Sequence, residues 1–443
     1  MTVETGQASI GQAAEEGAGE AARTKASTRE SAKASTEALT DASTRASTRA
    51  STGVSTDAPA GGAAEAGTTA GGEPGEETPA EAAERIRALI DRRLARFLDE
   101  HAAPIADPDV STAYGFLRDF ILGGGKRVRP LLCYWGWRGA GGDGAGDQII
   151  SAGAALELCH SGLLIHDDIM DGSELRRGRP TMHRRLTGLH RHPSTHTHSD
   201  ERPREPAGGP AAGSFGLAAA ILLGTLTLAW SDELLSGSGA EPSRLRTARG
   251  LFDRLRTEVI AGQYLDILAQ ARGPATVEEA LTVVRYKTAK YTVERPLQIG
   301  GALAGAEPSL LGLYSRFGLP LGEAFQLRDD VLGMFGDPAE TGKPVLDDLR
   351  EGKHTILMAY ARRHASESEA RHLAAWHGNP ELTGERAAEL RQIVVGTGAL
   401  ARVEAMIDER VGEALRVLGD APVDPYVKEG LAGLAGSLVD RVR

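Results

Sequence analysis

Two aspartate-rich segments constrain the fold of this chain most strongly, because both have to be presented by helices. The first is HDDIMD (166–171) and the second is DDVLG (329–333). Residues four apart on a helix share a face, so Asp167 and Asp171 point the same way. Two carboxylates at that spacing repel each other unless they share a hard divalent cation such as Mg²⁺. The pattern therefore predicts two helices that face each other across a magnesium-bound anion.

The sequence after about residue 81 favours helices throughout. It is rich in Ala, Leu, Arg and Glu and has few alternating β-branched runs, which predicts an all-α fold. The longest apolar run, residues 215–230, is shorter than the roughly 20 residues that span a bilayer. Asp232 and Glu233 follow it directly. We therefore expect a buried core helix there and no stable membrane insertion.

Two segments are predicted to lie outside the packed core of an 81–443 domain. Residues 1–80 repeat Ala-Ser-Thr and contain almost no large apolar side chain, so they cannot offset the entropy of folding. Their acidic residues argue against a transit peptide. Residues 188–213 are rich in Pro, Gly and His and predict a flexible loop. A transition-metal site stays open as the alternative for its histidines, which are His190, His192, His196 and His198.

Charge and cysteine content narrow the class of protein. The net charge of −11 gives no reason to expect nucleic acid as a partner. The two cysteines, Cys133 and Cys159, argue against a disulfide framework and suit a reducing compartment. We therefore expect a cytoplasmic protein.

Basic, glycine-rich segments accompany the first acidic motif. GGGKRVRP (123–130) precedes it and RRGRP (176–180) follows it. Glycine-rich turns let backbone N–H groups approach an anion, and arginine offers planar forks that match phosphate oxygens. Either cluster alone is typical of a solvated loop. Together with the acidic helices they indicate two anionic substrates, one bound through metal and one bound directly by cations.

These motifs, in this order, resemble the trans-isoprenyl diphosphate synthases (polyprenyl synthetase family), and most of all the short-chain, geranylgeranyl-type enzymes of actinobacteria. The resemblance extends from about residue 81 to the C-terminus. Its further motifs are ELCHSGLLIHDDIMD (157–171), GQYLDI (262–267), YKTAKYTVERP (286–296), FQLRDDVLGMFGD (325–337), TGKP (341–344) and DDLREGKHT (347–355). It implies an isoprenoid-synthase-type helical bundle around a deep central cavity, and a homodimer.

The resemblance also implies a reaction and its residues. The reaction is head-to-tail (1'-4) condensation of isopentenyl diphosphate with an allylic diphosphate (dimethylallyl, geranyl or farnesyl), assisted by Mg²⁺. Three ions per active site and replacement by Mn²⁺ are part of this expectation. Asp167, Asp171 and Asp329 would hold metal, with Asp168 and Asp330 beside them. The allylic diphosphate would contact Arg176, Lys287, Thr288, Gln326, Lys343 and Lys353, and isopentenyl diphosphate would contact Lys126, Arg129, His160 and Arg177.

Product length is expected to depend on the residues beneath the first acidic motif. Cys159, Gly162 and Leu163 lie on broadly one face of that helix. A large aromatic residue there would close the pocket early, whereas glycine and leucine leave depth and favour geranylgeranyl diphosphate. The alternative is that Gly162 only lets another helix, around residues 216–235, pack closely.

Two other functions remain possible at this point, and two residues depart from the family pattern. A class I terpene cyclase shares the first acidic motif but lacks an isopentenyl diphosphate site, and a non-catalytic partner subunit tends to lose both motifs. Gly333 stands where the fuller second motif has aspartate, and Thr225 stands where many family members have aspartate. Gly333 removes one potential metal ligand or supporting carboxylate, whereas at Thr225 we expect a local change in helix packing and not loss of activity.

Overall fold

Helices follow one another along the chain in this computed structural model, which describes residues 77–102, 106–191, 210–336 and 347–439. The all-α prediction is confirmed. One short antiparallel hairpin, β1 (Leu175–Arg176) and β2 (Arg179–Pro180), interrupts the helices within these residues. Most of the predicted N-terminal extension (1–76) and of the predicted insertion (192–209) lies outside the described residues.

The helices of the first half run from the N-terminal region to the segment before the second acidic motif. They are α1 (Pro79–Ala102), α2 (Pro108–Leu122), α3 (Val128–Gly139), α4 (Asp147–Met170), α5 (Met182–Arg191), α6 (Pro210–Ser236), α7 (Pro242–Arg272), α8 (Val277–Val283), a π-helix (Val284–Glu294) and α9 (Arg295–Ala304).

The helices of the second half include the one that carries the second acidic motif. They are α10 (Pro308–Phe335), α11 (Asp347–Glu351), α12 (Ile356–His364), α13 (Glu367–Trp376), α14 (Gly384–Gly396), α15 (Ala399–Gly419) and α16 (Pro425–Val439).

Helix α4 forms the centre of the core. Its residues from Ile149 to Gly162 are buried on nearly every face, and α1, α3, α6 and α9 all pack against it. Small side chains such as Ala154 and Ala155 let these neighbours approach closely. The first acidic motif occupies the C-terminal end of this helix, so the core itself fixes its position.

The π-helix lies between α7 and α10 and packs against both. A side chain at Gly262 of α7 would clash with the backbone of Lys287, and one at Gly322 of α10 would lie 2.5 Å from Ala289 Cα. Pro296 lies in the first turn of α9, directly after the π-helix, and the backbone of Glu294 and Arg295 before it is helical. The segment directly before α9 is thus a wider π-helix, which has i→i+5 hydrogen bonds.

Helix α6 corrects one expectation. The apolar run of residues 215–230 is part of a 27-residue helix that exposes Phe215, Ile221 and Leu222. Leu222 alone is 69% exposed. Both α4 and α6 are long and apolar enough to span a membrane by length and composition, but 78% of the α4 window is buried inside the domain against 33% for α6. The prediction of a buried core helix is therefore wrong for α6, whose outer face is apolar and exposed among the residues that the structure describes.

Candidate active site

The first acidic motif presents two carboxylates one helical turn apart. Asp171 directly follows the last residue of α4, and its N–H donates to the Asp167 carbonyl oxygen over 2.9 Å, which preserves the helical spacing. Both side chains are largely withdrawn from solvent, with 23% and 10% exposure for Asp167 and Asp171. Burial and the charge of Asp167 raise the pKa of Asp171 to about 6. The pair therefore carries more negative charge than its surroundings compensate.

Three of the predicted substrate cations converge on this pair. Lys287 Nζ lies 3.5 Å from Asp167 Oδ1, and Arg176 Nη2 lies 3.7 Å from Asp167 Oδ2. Lys353 Nζ lies 3.8 Å from Asp171 Oδ2. Asp266, at 2.7 Å from Lys287 Nζ, helps to orient that ammonium group. These residues come from α4, the β-hairpin, the π-helix, α7 and the segment after α11, and the fold brings them to one place.

Asp168, the middle aspartate, has a different environment. Its side chain is completely buried, and its carboxylate accepts hydrogen bonds from Arg176 Nε over 2.8 Å and Nη2 over 2.6 Å. Burial raises the pKa of Asp168, and the Arg176 guanidinium opposes that shift. Asp168 thus holds Arg176 in place beside Asp167 and faces away from the other two carboxylates.

The second acidic motif is joined to the π-helix by hydrogen bonds. The Thr288 hydroxyl donates to Gln326 Oε1 over 2.6 Å, and Gln326 Nε2 donates to Asp330 Oδ1 over 2.8 Å. Asp329, next to Asp330 on α10, is partly exposed. Lys287 contacts Asp167 of the first motif, and the next residue, Thr288, is hydrogen-bonded through Gln326 to Asp330 of the second. One turn of the π-helix therefore lies between the two acidic motifs.

The carboxylates fit a metal that is shared with a substrate better than a metal held by protein alone. In the part of the chain that the structure describes, no three His, Cys, Asp or Glu side chains are close enough to enclose an ion. Mg²⁺ is typically bound by one or two carboxylates together with substrate phosphates and waters. The Asp167–Asp171 pair, in which the pKa of Asp171 is raised, has the chemistry for that mode of binding.

The loop before α3 forms a separate basic region. Arg127 has a left-handed backbone (φ 50°) and a buried side chain. Its guanidinium lies 2.9 Å from Asp91 Oδ1 and 2.6 Å from Glu157 Oε1, and it donates to the Ile121 carbonyl oxygen. This anchoring of Arg127 fixes the end of the loop that carries Lys126 and the start of α3, which carries Arg129.

The other predicted residues of the basic region lie near one another. His160 sits among the guanidinium groups of Arg129, Arg176 and Arg177, which together with burial lower its pKa well below the ordinary value. Arg177 donates to the Gly124 carbonyl oxygen, which ties the β-hairpin to the glycine-rich loop. We refer to Lys126, Arg129, His160 and Arg177 as the basic cradle, and to the two acidic motifs with Arg176, Lys287 and Lys353 as the acidic mouth.

Comparison with known proteins decides the family. The sequence model of the polyprenyl synthetase family matches residues 111–394, which include both acidic motifs and the basic cradle. The chain belongs to the polyprenyl synthetase family. It is therefore a prenyltransferase.

Individual relatives agree with that assignment. The chain is 32% identical over 327 residues to a geranylfarnesyl diphosphate synthase of Aeropyrum pernix, covering 73% of this chain and 92% of that protein. It is 32% identical to a geranylgeranyl diphosphate synthase of Mycobacterium tuberculosis, over 77% of this chain and 89% of the relative. A crystal structure of geranylgeranyl pyrophosphate synthase from Corynebacterium glutamicum, complexed with isoprenyl diphosphate and magnesium, superimposes with a TM-score of 0.74 at 37% identity, over 81% of this chain and 99% of that one.

The residues beneath the first motif of this polyprenyl synthetase do not all face the same way. A side chain at Gly162 would lie 2.8 Å from the Gly224 carbonyl oxygen and 3.1 Å from Leu228 Cγ of α6. Gly162 therefore serves the close α4–α6 packing that was the alternative to a pocket position. Cys159 is fully buried, and Leu163 is only partly buried. The Thr225 hydroxyl donates to the Ile221 carbonyl oxygen within α6.

Some sequence predictions fall on residues without a structural description, and some contacts were not predicted. Lys343, the side chain of His190 and the other histidines of the predicted insertion lie outside the described residues. The contacts of Tyr291 and Thr292 with the cradle, and the anchoring role of Arg127, were missed. Spacing of four residues from Lys287 and Thr288 along one helix is the signal that could have pointed to Tyr291 and Thr292.

Proposed function

We propose that this prenyltransferase condenses isopentenyl diphosphate with an allylic diphosphate, either dimethylallyl, geranyl or farnesyl, to make geranylgeranyl diphosphate. The observation that carries the proposal is the arrangement of two acidic motifs around one turn of the π-helix, with a separate basic cradle nearby. A reaction between two diphosphates, of which one must ionise and the other must not, needs two unlike anion sites.

The acidic mouth would bind the diphosphate that leaves. Asp167, Asp171 and Asp329 would hold Mg²⁺, which offsets charge on the diphosphate as the C–O bond breaks. Arg176, Lys287 and Lys353 exchange their carboxylate partners for diphosphate oxygens and stabilise the same developing charge. Lys343 belongs to this set by family resemblance. We extend the proposal to three Mg²⁺ ions per site and to replacement by Mn²⁺.

The basic cradle would hold isopentenyl diphosphate without metal. Lys126, Arg129, His160 and Arg177 bind its diphosphate, so that its double bond can attack the allylic cation. The electron pair of the double bond forms the new C–C bond, and a proton then leaves to the released diphosphate, which is the nearest strong acceptor. The oxygens of Thr288 and Gln326, joined by their hydrogen bond, lie between the two sites and stabilise the carbocation by their dipoles.

The chain-length proposal depends on Leu163 and Cys159, since Gly162 packs against α6. Leu163 is partly buried and lies one helical turn before Asp167, and neither position 162 nor position 163 carries an aromatic side chain. Leu163→Phe should shift the product toward farnesyl diphosphate. Unchanged product length in a folded Leu163→Phe variant would remove this residue from the pocket.

The apolar outer face of α6 supports a homodimer. Phe215, Leu217, Ile221 and Leu222 are exposed on α6, and Ile260, Tyr264 and Ile267 are exposed on the neighbouring α7. Contiguous apolar surface of this kind marks association sites, and a second copy would cover it. We propose a cytoplasmic dimer, which light scattering of the purified protein tests.

One assay tests the reaction itself. The purified protein is incubated with Mg²⁺, labelled isopentenyl diphosphate and each allylic starter, and the products are sized. We expect label in a C20 diphosphate. A cyclic hydrocarbon without incorporated label would indicate a terpene cyclase, and no product without a second protein would indicate a partner subunit; either result would overturn the proposal.

A further inference from the structure

The π-helix contacts both proposed substrate sites. Lys287 and Thr288 connect it to the acidic mouth, and one turn later Tyr291 and Thr292 contact the basic cradle. The Tyr291 hydroxyl lies 2.9 Å from His160 Nδ1, and Thr292 Oγ1 accepts from Arg129 Nη2 over 2.8 Å. Both side chains are buried, with 5% and 1% exposure, so these contacts form inside the protein and not on its surface.

We propose that Tyr291 and Thr292 are positioning residues for the isopentenyl diphosphate cradle. The Tyr291 hydroxyl fixes the tautomer of His160 that carries its proton on Nε2, and the Tyr291 ring together with the Thr292 hydroxyl fixes the guanidinium of Arg129. This inference rests on the proposed function, because it assumes that the cradle binds a diphosphate.

The charge of His160 determines how many protons its ring carries. Burial and the surrounding guanidinium groups lower the pKa of His160 well below its ordinary value, so the imidazole is neutral and has a single N–H. Burial raises the pKa of the Tyr291 phenol, which therefore keeps its proton. If Tyr291 donates to Nδ1, the single imidazole proton is on Nε2 and can be donated to an anion. The other tautomer would offer that anion a lone pair, which repels it.

The two partners of Arg129, Tyr291 and Thr292, are both neutral. The Arg129 guanidinium carbon lies 4.1 Å from the centre of the Tyr291 ring, and its second contact is the Thr292 hydroxyl. Within the described residues Arg129 forms no ion pair, and its Nε is buried without a hydrogen-bond partner. A buried donor in that state is costly unless a ligand satisfies it. Tyr291 and Thr292 thus hold the arginine in place while its charge and one N–H remain for a diphosphate.

Two conservative variants separate these roles. Tyr291→Phe removes the hydroxyl and keeps the ring under Arg129, whereas Thr292→Val removes the hydroxyl and keeps the volume. Each should raise the KM for isopentenyl diphosphate about three- to tenfold, the value of one hydrogen bond, and leave the KM for the allylic diphosphate almost unchanged. Tyr314→Phe is the matched control, since Tyr314 is also buried and loses only a hydrogen bond to the Gly136 carbonyl oxygen in the core.

A double-mutant cycle shows whether Tyr291 and Thr292 change the KM for isopentenyl diphosphate by acting on His160 and Arg129. Tyr291→Phe should have little further effect in a His160→Ala background, and Thr292→Val little in an Arg129→Ala background. Histidine ¹⁵N spectra, with the His160 signal assigned by its loss in His160→Ala, give an independent readout. They should show a single Nε2–H tautomer in the wild type and a mixture in Tyr291→Phe.

The outcomes distinguish this inference from the proposed function. If Lys126→Ala leaves the KM for isopentenyl diphosphate unchanged, the cradle assignment fails and the positioning role fails with it. If Lys126→Ala raises that KM but neither Tyr291→Phe nor Thr292→Val does, the cradle stands and the positioning role is overturned. Equal changes in both KM values, or full effects that persist in the His160→Ala and Arg129→Ala backgrounds, would also overturn it.

Discussion

The acidic mouth and the basic cradle differ in whether their cations have charged or neutral partners. In the mouth, Lys287, Arg176 and Lys353 lie within 3.8 Å of the carboxylates of the first motif, so the cations are largely compensated before a substrate arrives. In the cradle, Arg129 and Arg177 have neutral partners and form no ion pair within the described residues. Uncompensated positive charge is therefore concentrated in the cradle and excess negative charge in the mouth.

This difference is the basis of our proposal that the acidic mouth binds its diphosphate through metal and the basic cradle does not. A diphosphate entering the mouth meets Asp167 and Asp171 as well as the cations, and only an added cation makes both sets of contacts favourable. A diphosphate entering the cradle meets the guanidinium groups of Arg129 and Arg177, which have neutral partners, and the neutral imidazole of His160. We therefore propose that the mouth stabilises the larger charge of a departing diphosphate, while the cradle binds the diphosphate that stays bonded to its carbon.

The largest expected effect comes from removing a carboxylate that we propose as a metal ligand. Asp167→Asn should lower kcat for condensation about a thousandfold or more, because a metal ligand contributes several kcal/mol of charge stabilisation. Its free energy of unfolding should change little, since Asp167 is not fully buried. Asp420→Asn, at an exposed site after α15, is the control and should behave as wild type. Near-normal turnover of Asp167→Asn would refute the metal role.

The adjacent aspartate should show the reverse pattern. Asp168→Asn leaves the Arg176 guanidinium without its buried partner, and breaking such a pair costs about 3 kcal/mol of unfolding free energy. Chemical denaturation measures this loss. If Asp168→Asn were as stable as wild type, the buried pair would not contribute to the fold as described, and the contrast between the two neighbouring aspartates would disappear.

A smaller and more selective effect is expected in the cradle. Lys126→Ala should raise the KM for isopentenyl diphosphate about tenfold or more, as expected for a charged hydrogen bond, with a much smaller rise for the allylic diphosphate. Steady-state kinetics with each substrate varied in turn measures both constants. Parallel rises would mean that the two diphosphates do not occupy separate sites.

A less specific effect, because other titrating groups can contribute to it, is the pH dependence of the unfolding free energy of the metal-free protein. The pKa of Asp171 is raised to about 6, so the folded protein takes up this proton more readily than the unfolded chain does. Its stabilising contribution is present below about pH 4 and is lost as the pH rises through about 6. We expect a loss of up to about 3 kcal/mol in unfolding free energy across this range with chelator present. Asp171→Asn should remove that slope, and an unchanged slope would show that other groups cause it.

The sequence predicted the mouth and the cradle because their chemistry depends on residue type and spacing. Asp167, Asp171 and Lys126 can be recognised in that way. The distinct role of Asp168 could not, because adjacent aspartates look alike until packing buries one of them against Arg176. The π-helix was missed because an i→i+5 pattern has no distinct apolar period, and backbone contact at Gly262 and Gly322 accompanies it. The exposed face of α6 was missed because the apolar sequence of a helix does not show whether the helix packs in the core of its own chain or against a partner chain.

The most direct test of the central claim is calorimetric titration of each substrate site with and without metal. A non-cleavable allylic thiodiphosphate and isopentenyl diphosphate are titrated separately into the protein, first with Mg²⁺ and then with a chelator. We predict that the Kd of the allylic analogue rises at least about tenfold on chelation and that the Kd of isopentenyl diphosphate changes by less than about twofold. An equal loss of affinity for both ligands would contradict the division of the active site into a metal-dependent mouth and a metal-independent cradle.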